Sequence, residues 1–227
     1  MKKYIVLIMF PILFAQAIAS TIGVNSIGIK LGGINHSIEI SPTSSNSMHF
    51  SGFAYEINAN FNLHQFTGEK NIGIDVPVKF VSAPSLEEDA ASIDGTTLNV
   101  SLRPYLAMGN GYLFADVGLS YISVQTSGGS SILSSADFSE TSFAFGIGGL
   151  INLSENTNFS PSLNWASYGG VTHDESILLA IPFSYTLSEK YDLSLAYEHT
   201  FFSSTNIGGA SIEPKMDTFL LGLDMKF

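Results

Sequence analysis

The chain has 227 residues and no cysteine. No disulfide can staple it, although small exported domains commonly depend on such bonds. Charge is scarce as well: Asp, Glu, Lys and Arg make up 13% of the residues, where a soluble protein carries about 25%. Cations are the scarcest, with nine Lys and Arg against twenty Asp and Glu and a formal net charge of −11. This excludes the basic footprint that nucleic-acid binding requires, and it leaves few side chains for gripping lipid phosphates. Beyond the first fifteen residues, no apolar run approaches the ~20 residues of a transmembrane helix. That absence does not speak against strands, which cross a bilayer by alternation alone.

The N-terminus has the order of a secretory signal. Lys2 and Lys3 precede an apolar run from Tyr4 to Ala15, broken only by Pro11, and Ala17-Ile18-Ala19 supplies a small-x-small cleavage site. The run is short for an uncleaved anchor. Residues 1–19 are therefore expected to be a signal peptide and residues 20–227 a single exported domain.

What is abundant is period-two patterning, which puts alternate residues on opposite faces of a strand. At the C-terminus Phe219, Leu221, Leu223, Met225 and Phe227 alternate with Leu220, Gly222, Asp224 and Lys226. Phe53, Tyr55, Ile57, Ala59, Phe61 and Leu63 alternate with a row that is polar apart from Ala54. Similar apolar rows run through Ile72–Phe80, Leu98–Met108, Leu113–Tyr121, Phe143–Leu153, Phe159–Trp165, Ile177–Leu187 and Leu193–Phe201. His199 falls in the last of these apolar rows, near a strand end, where an interface tolerates it. No central position of these rows is Lys, Arg, Asp or Glu. Facing lipid at the midplane, a Lys or Arg would cost roughly 2–4 kcal/mol.

The connections alternate in length. Thr67–Lys70, Gly109–Gly111, Ser154–Thr157 and Ser188–Lys190 have the composition of tight turns. Ser41–Phe50, Ala83–Gly95, Ser127–Ser139, Gly169–Glu175 and Ser203–Met216 are longer polar links. The pattern predicts an all-β, antiparallel up-and-down transmembrane barrel of about ten strands, with eight as the alternative. Closure would pair every backbone group internally, as a bilayer demands. The first segment, Thr21 to Ile40, is the least regular. Its parity shifts between Val24 and Ile27 and again near Gly32-Gly33, which suggests a bulge or a plug. Pro77, Pro104, Pro161 and Pro182 lie inside the rows and are awkward for paired strands.

With signal sequence, alternating rows, sorted loops and a terminal aromatic residue, the chain resembles the small outer-membrane β-barrel superfamily of Gram-negative bacteria, of the OmpA/OmpX-like and opacity-protein kind. The resemblance covers the whole mature chain and is architectural. It implies a cell-outer-membrane location, outer-membrane lipid and the barrel-assembly machinery as partners, a monomer, and Phe227 as the assembly signal.

The charges inside the rows fall on the face opposite the apolar one: Glu56, Asp75, Lys79, Arg103, Asp116, Glu198 and Asp224. They are expected to form a lumen charge network in a barrel filled by side chains, with Lys79 and Arg103 neutralising the carboxylates. A narrow ion path lined by the same charges is the alternative. Catalysis needs a nucleophile or activated water, a base and an orienting acid. His36-Ser37 near Glu39 and His173-Asp174-Glu175-Ser176 are the places to look, although adjacent strand residues point to opposite faces. Glu87, Glu88, Asp89 and Asp94 form a solvated acidic run. Gly146-Ile147-Gly148-Gly149 lacks the strand-to-helix setting of a phosphate loop, so its glycines are expected to make room inside the barrel. No catalytic residue, metal or cofactor is assigned. The expected role is structural or surface interaction, with any extracellular ligand met by the long loops. A small pore and, further off, a lipid-modifying enzyme are the alternatives.

Overall fold

The computed structural model describes residues 24–41, 47–63, 71–88, 91–128, 137–167, 175–207 and 210–227. The expected signal peptide and the turn at 67–70 lie outside them. Twelve strands follow in chain order: β1 (Val24–Ser41), β2 (Ser47–Asn62), β3 (Ile72–Glu88), β4 (Ala91–Met108), β5 (Gly111–Gly128), β6 (Asp137–Asn152), β7 (Thr157–Phe159), β8 (Ser162–Ser167), β9 (Glu175–Ser188), β10 (Tyr191–Phe202), β11 (Thr205–Ile207) and β12 (Ala210–Lys226). Every pairing is antiparallel, and β12 pairs with β1, which closes the sheet.

The wall has ten strands, because β7 and β8 are two pieces of one. Both lie between β6 and β9 and keep a single register against each neighbour. The break falls at Ser160-Pro161, where proline has no N–H to give the ladder. The neighbouring groups bridge the gap: Gly149 N–H donates to Pro161 O at 3.1 Å and Ser160 N–H to Pro182 O at 3.0 Å. The Trp165 row is thus in the wall. β11 continues the line of β10: it pairs with the same edge of β12, opposite β1, and forms a short hairpin with it.

The register climbs steadily around the barrel. Carried from strand to strand, the path that leaves β1 at Ser26 returns to it at Ile38. Such a stagger fixes strand tilt and barrel width together. One end of the barrel, here the lower, carries the tight turns at 109–110, 153–156 and 189–190. Gly109 takes the left-handed conformation there, at φ 52°, which suits glycine.

The outward face is apolar throughout the middle of the wall. Phe143 and Ile147 are 69% and 66% exposed, and Leu102, Leu113, Val117, Leu195, Phe219 and Leu221 are exposed beside them. Phe145 stacks on Trp165 at 5.8 Å and Phe159 on Phe183 at 4.7 Å. A continuous belt of this kind is a liability in water and the expected surface in lipid. Among the described residues no helix is long and apolar enough to cross a membrane; the barrel crosses with strands.

The structure corrects two expectations. Gly32 and Gly33 mark no bulge: β1 keeps unbroken register with both neighbours from Ser26 to Glu39, and its one shift lies between Val24 and Ser26. Parity appeared to change because Ile34 and Ile38 point inward. They join Phe50, Leu86, Ile93 and Leu220, with Met48, Val124 and Met216, in an apolar core inside the upper barrel. The charges expected in the inner row therefore lie in its lower half, and above them apolar side chains mix with His36, Ser176 and Thr200. Second, the link expected from Ala83 to Gly95 is mostly paired strand, since β3 runs to Glu88 and β4 starts at Ala91.

Candidate functional site in the barrel lumen

The inward rows bring the charged side chains together at mid-height. Lys30 from β1 donates to Glu56 Oε1 on β2 at 2.5 Å. Lys79 from β3 lies 3.3 Å from Glu56 Oε2 and also binds Glu198 of β10. The four residues form a bar across the lumen from β3 to β10, since β2, β1 and β12 separate those strands along the wall. Glu56 is 1% exposed. A carboxylate so far from water persists only with charged partners around it, and two lysines supply them.

A second pair lies below. Arg103 of β4 holds Asp116 of β5 through both forks, Nε to Oδ1 at 2.8 Å and Nη2 to Oδ2 at 2.9 Å. Its guanidinium lies 4.0 Å from the centre of the Phe114 ring, a favourable cation–π arrangement. Phe114 in turn packs over Gly148, where a β-carbon would strike the ring. Gly146 and Gly148 face the lumen in this way, while Gly149 lies on the opposite face.

Asp75 accepts from Asn62 Nδ2 at 2.8 Å and Asn60 Nδ2 at 3.2 Å and stands opposite Arg103 in the β3–β4 ladder. Asp224 lies lowest, its carboxylate occupying the space above Gly28. Lys226 binds Asp192 at 2.7 Å near the lower rim. The network expected from the sequence omitted Lys30, Asp192 and Lys226. Lys30 was hidden by the misread parity of β1; Lys226 was placed in the row of Asp224 but given no partner, and Asp192 lies on the face of Glu198 and could have been found by extending that row.

The lumen is not filled. Beside the ionic bar lies a cavity of about 380 Å³, room for roughly a dozen waters at about 30 Å³ each. Part of its room comes from the small residues Ala144, Ser162, Ala166, Ala180 and Ala196 that line it on β6, β8, β9 and β10.

The catalytic candidates do not assemble. His36 faces the lumen, tilted against Phe50 and Phe202 at ring distances of 6.5 and 6.4 Å. Ser37 is on the opposite face. Glu39 instead accepts from Lys215 Nζ at 2.9 Å. Above the apolar belt, that bond holds the Lys215 ammonium higher than the usual lysine value. His173 and Asp174 lie outside the described residues; Glu175 and Ser176 open β9. The acidic run is divided: Asp94 lies in β4, Glu87 and Glu88 end β3, and Asp89 is outside the described residues.

One polar cluster unforeseen in the sequence stands on the outer face. Asp217 Oδ1 accepts from Tyr197 Oη at 2.6 Å and binds His199 Nδ1 at 2.7 Å. His199 and Asp217 face each other across β10 and β12, one step above Phe219. Their strand neighbours on that face include Leu179, Phe201, Lys215, Phe219 and Asn35.

No protein-family model matches the sequence, and no curated protein matches it either. Solved structures do. The outer membrane protease OmpT from Escherichia coli is similar over 91% of this chain and 98% of its own, at a TM-score of 0.59 and 9% identity. The translocator domain of the autotransporter NalP from Neisseria meningitidis aligns over 100% of this chain and 98% of its own, at 0.49 and 9%. The attachment invasion locus protein Ail of Yersinia pestis aligns over 89% and 99%, at 0.41 and 14%. The first of these likenesses shows the fold, a transmembrane antiparallel β-barrel of ten strands.

Proposed function

We propose that the protein is an integral outer-membrane β-barrel with a structural or surface-interaction role, acting without catalysis and with its lumen closed to ion flow. The observation that carries this reading is the pairing of an apolar outer belt with a barred interior. The belt suits lipid, and the fold shared with an outer-membrane barrel suits that particular membrane. Inside, the Lys30–Glu56–Lys79–Glu198 bar crosses the lumen, and the apolar core around Ile34, Phe50 and Leu86 lies above it. An ion would have to shed much of its water to pass that apolar layer.

A non-enzymatic role is supported by the state of the acidic groups. Glu56, Glu198 and Asp116 are engaged by cations, and the His199–Asp217 pair stands on the outer face of the wall, away from the lumen. Partners are then met at the upper rim, where the strands rise beyond the belt and the loops join them. Outer-membrane lipid surrounds the belt, and the assembly machinery reads the last strand ending at Phe227.

Two measurements test the reading. Extracted from outer membranes, the folded barrel is expected to migrate differently on a cold SDS gel before and after boiling; a soluble periplasmic protein with no shift would refute it. In planar bilayers the purified protein is expected to be electrically silent. The cavity along β6 to β10 favours a second reading, a narrow pore, and steady single-channel steps that change on Arg103→Gln would establish that reading instead.

A further inference from the structure

The cavity beside the ionic bar has no part in a purely structural role. Narrow barrels usually fill their interior with side chains, yet about 380 Å³ is left open here. Part of that space comes from small inward residues on adjoining strands. Ala144 of β6 stands opposite Ala166 of β8, and Gly146 opposite Asn164. Asn164 in turn stands opposite Leu178 of β9. Ala144, Ala166, Asn164 and Leu178 line the cavity as one contiguous patch. Glu198 lies across β9 from it, opposite Ala180, so the bar forms the inner side of a slot.

The groups around the slot set the chemistry of an occupant. The charges nearest it are already matched, Lys79 with Glu56 and Glu198, and Arg103 with Asp116. A charged guest would give up its water without gaining a counter-charge. Asp224 stands opposite Asp192 low on β12, below the bar and away from the slot. Ala144, Ala166 and Leu178 offer apolar surface to a carbon body. Asn164 adds a polar point: one amide N–H donates to Ser162 Oγ at 3.2 Å, and an amide has a second N–H and an acceptor oxygen to give. Gly146 makes room for that amide, since a β-carbon there would strike Asn164 Oδ1. Apolar walls with a few placed polar groups are what small-molecule pockets have in common.

We propose that the slot between the bar and strands β6, β8 and β9 binds a small uncharged molecule, its carbon body against Ala144, Ala166 and Leu178 and a hydroxyl-type group on the Asn164 amide. The inference goes beyond the structural or surface role and is independent of what the upper rim binds.

The test is fluorine NMR on the folded full barrel in detergent, with para-fluorobenzyl alcohol as the probe. The para-fluorobenzylammonium and para-fluorobenzoate ions carry the same ring with a charge, and para-fluorotoluene carries it without the hydroxyl. The alcohol is expected to bind several times more tightly than fluorotoluene, and the two ions not at all. Ala166→Phe fills the slot and should abolish binding; in the same detergent it also measures partition into the micelle. The shift between cold and boiled gel lanes verifies folding, and Ala166→Leu takes its place if the larger residue prevents it. Asn164→Leu should erase the advantage of the alcohol over fluorotoluene. An alcohol signal no stronger in the unaltered barrel than in the folded, filled variant would overturn the proposal and leave the slot to water. Binding of either ion as tight as that of the alcohol, or an advantage of the alcohol that survives Asn164→Leu, would overturn it as well.

Discussion

Single residues in the lumen differ in what they carry, and burial decides by how much. Glu56 is 1% exposed and bound by Lys30 and Lys79. Glu56→Gln keeps the shape but leaves Lys30 without a counter-charge. Breaking a buried pair from one side costs about 3–5 kcal/mol, so the urea midpoint of the barrel in lipid vesicles should fall accordingly. Lys79→Gln strips one cation from two carboxylates, yet Glu56 retains Lys30 and the lysine site is 23% exposed. Its cost is expected to be smaller than that of Glu56→Gln, and a larger one would mean that Lys79 rather than Glu56 centres the bar. Asp75→Asn exchanges a carboxylate served by two amides for a neutral acceptor. The loss should be about 1–3 kcal/mol, the range for disturbing a buried hydrogen-bonded group.

At the scale of the strand, position relative to the belt decides the effect of an outward charge. Leu221 is outward on β12, mid-belt and 55% exposed. Leu221→Arg is expected to cost about 2–4 kcal/mol in vesicles, whereas Ser37→Arg, higher on the adjoining β1, should leave the midpoint nearly unchanged. Equal effects would mean that the belt has been placed at the wrong height. The outward rows were legible in the sequence because lipid imposes a single demand on one face of every strand. The inward rows were less so, because their environment changes along the axis, ionic below and more apolar above. Ile34 and Ile38 therefore imitated a parity slip in a strand whose register does not slip. The segment from Ala83 to Gly95 read as loop because, above the bilayer, neither face of a hairpin need be apolar. Pro161 was rightly a point of difficulty: it splits one wall strand into β7 and β8 without moving either out of register. The Tyr197–His199–Asp217 cluster gave no signal, since Asp217 is eighteen or more residues from the other two and meets them only through the β10–β12 ladder.

At the scale of the whole molecule, the ladder between β1 and β12 holds the barrel shut. It runs from Ser26↔Lys226 to Ser41↔Ser211, and Phe227 N–H donates to Asn25 O at 3.0 Å at its lower end. Deleting Phe227 removes that bond and the residue that the assembly machinery is proposed to read. The amount of heat-modifiable barrel recovered from cells should then drop severalfold, while refolding of the purified chain in detergent changes little. A matching loss in both would make Phe227 a structural residue only. The ladder also orders events in time. Each other neighbouring pair of wall strands is made from chain segments synthesised in succession, so each can zip as it appears. The free edge of β1 has to wait until β12 exists. Until then the growing sheet has two raw edges, each able to recruit any strand that drifts past. This chain is therefore most vulnerable to misassociation just before its last strand arrives, and a helper that shields the edge of β1 would matter more to its yield than one that shields its apolar belt.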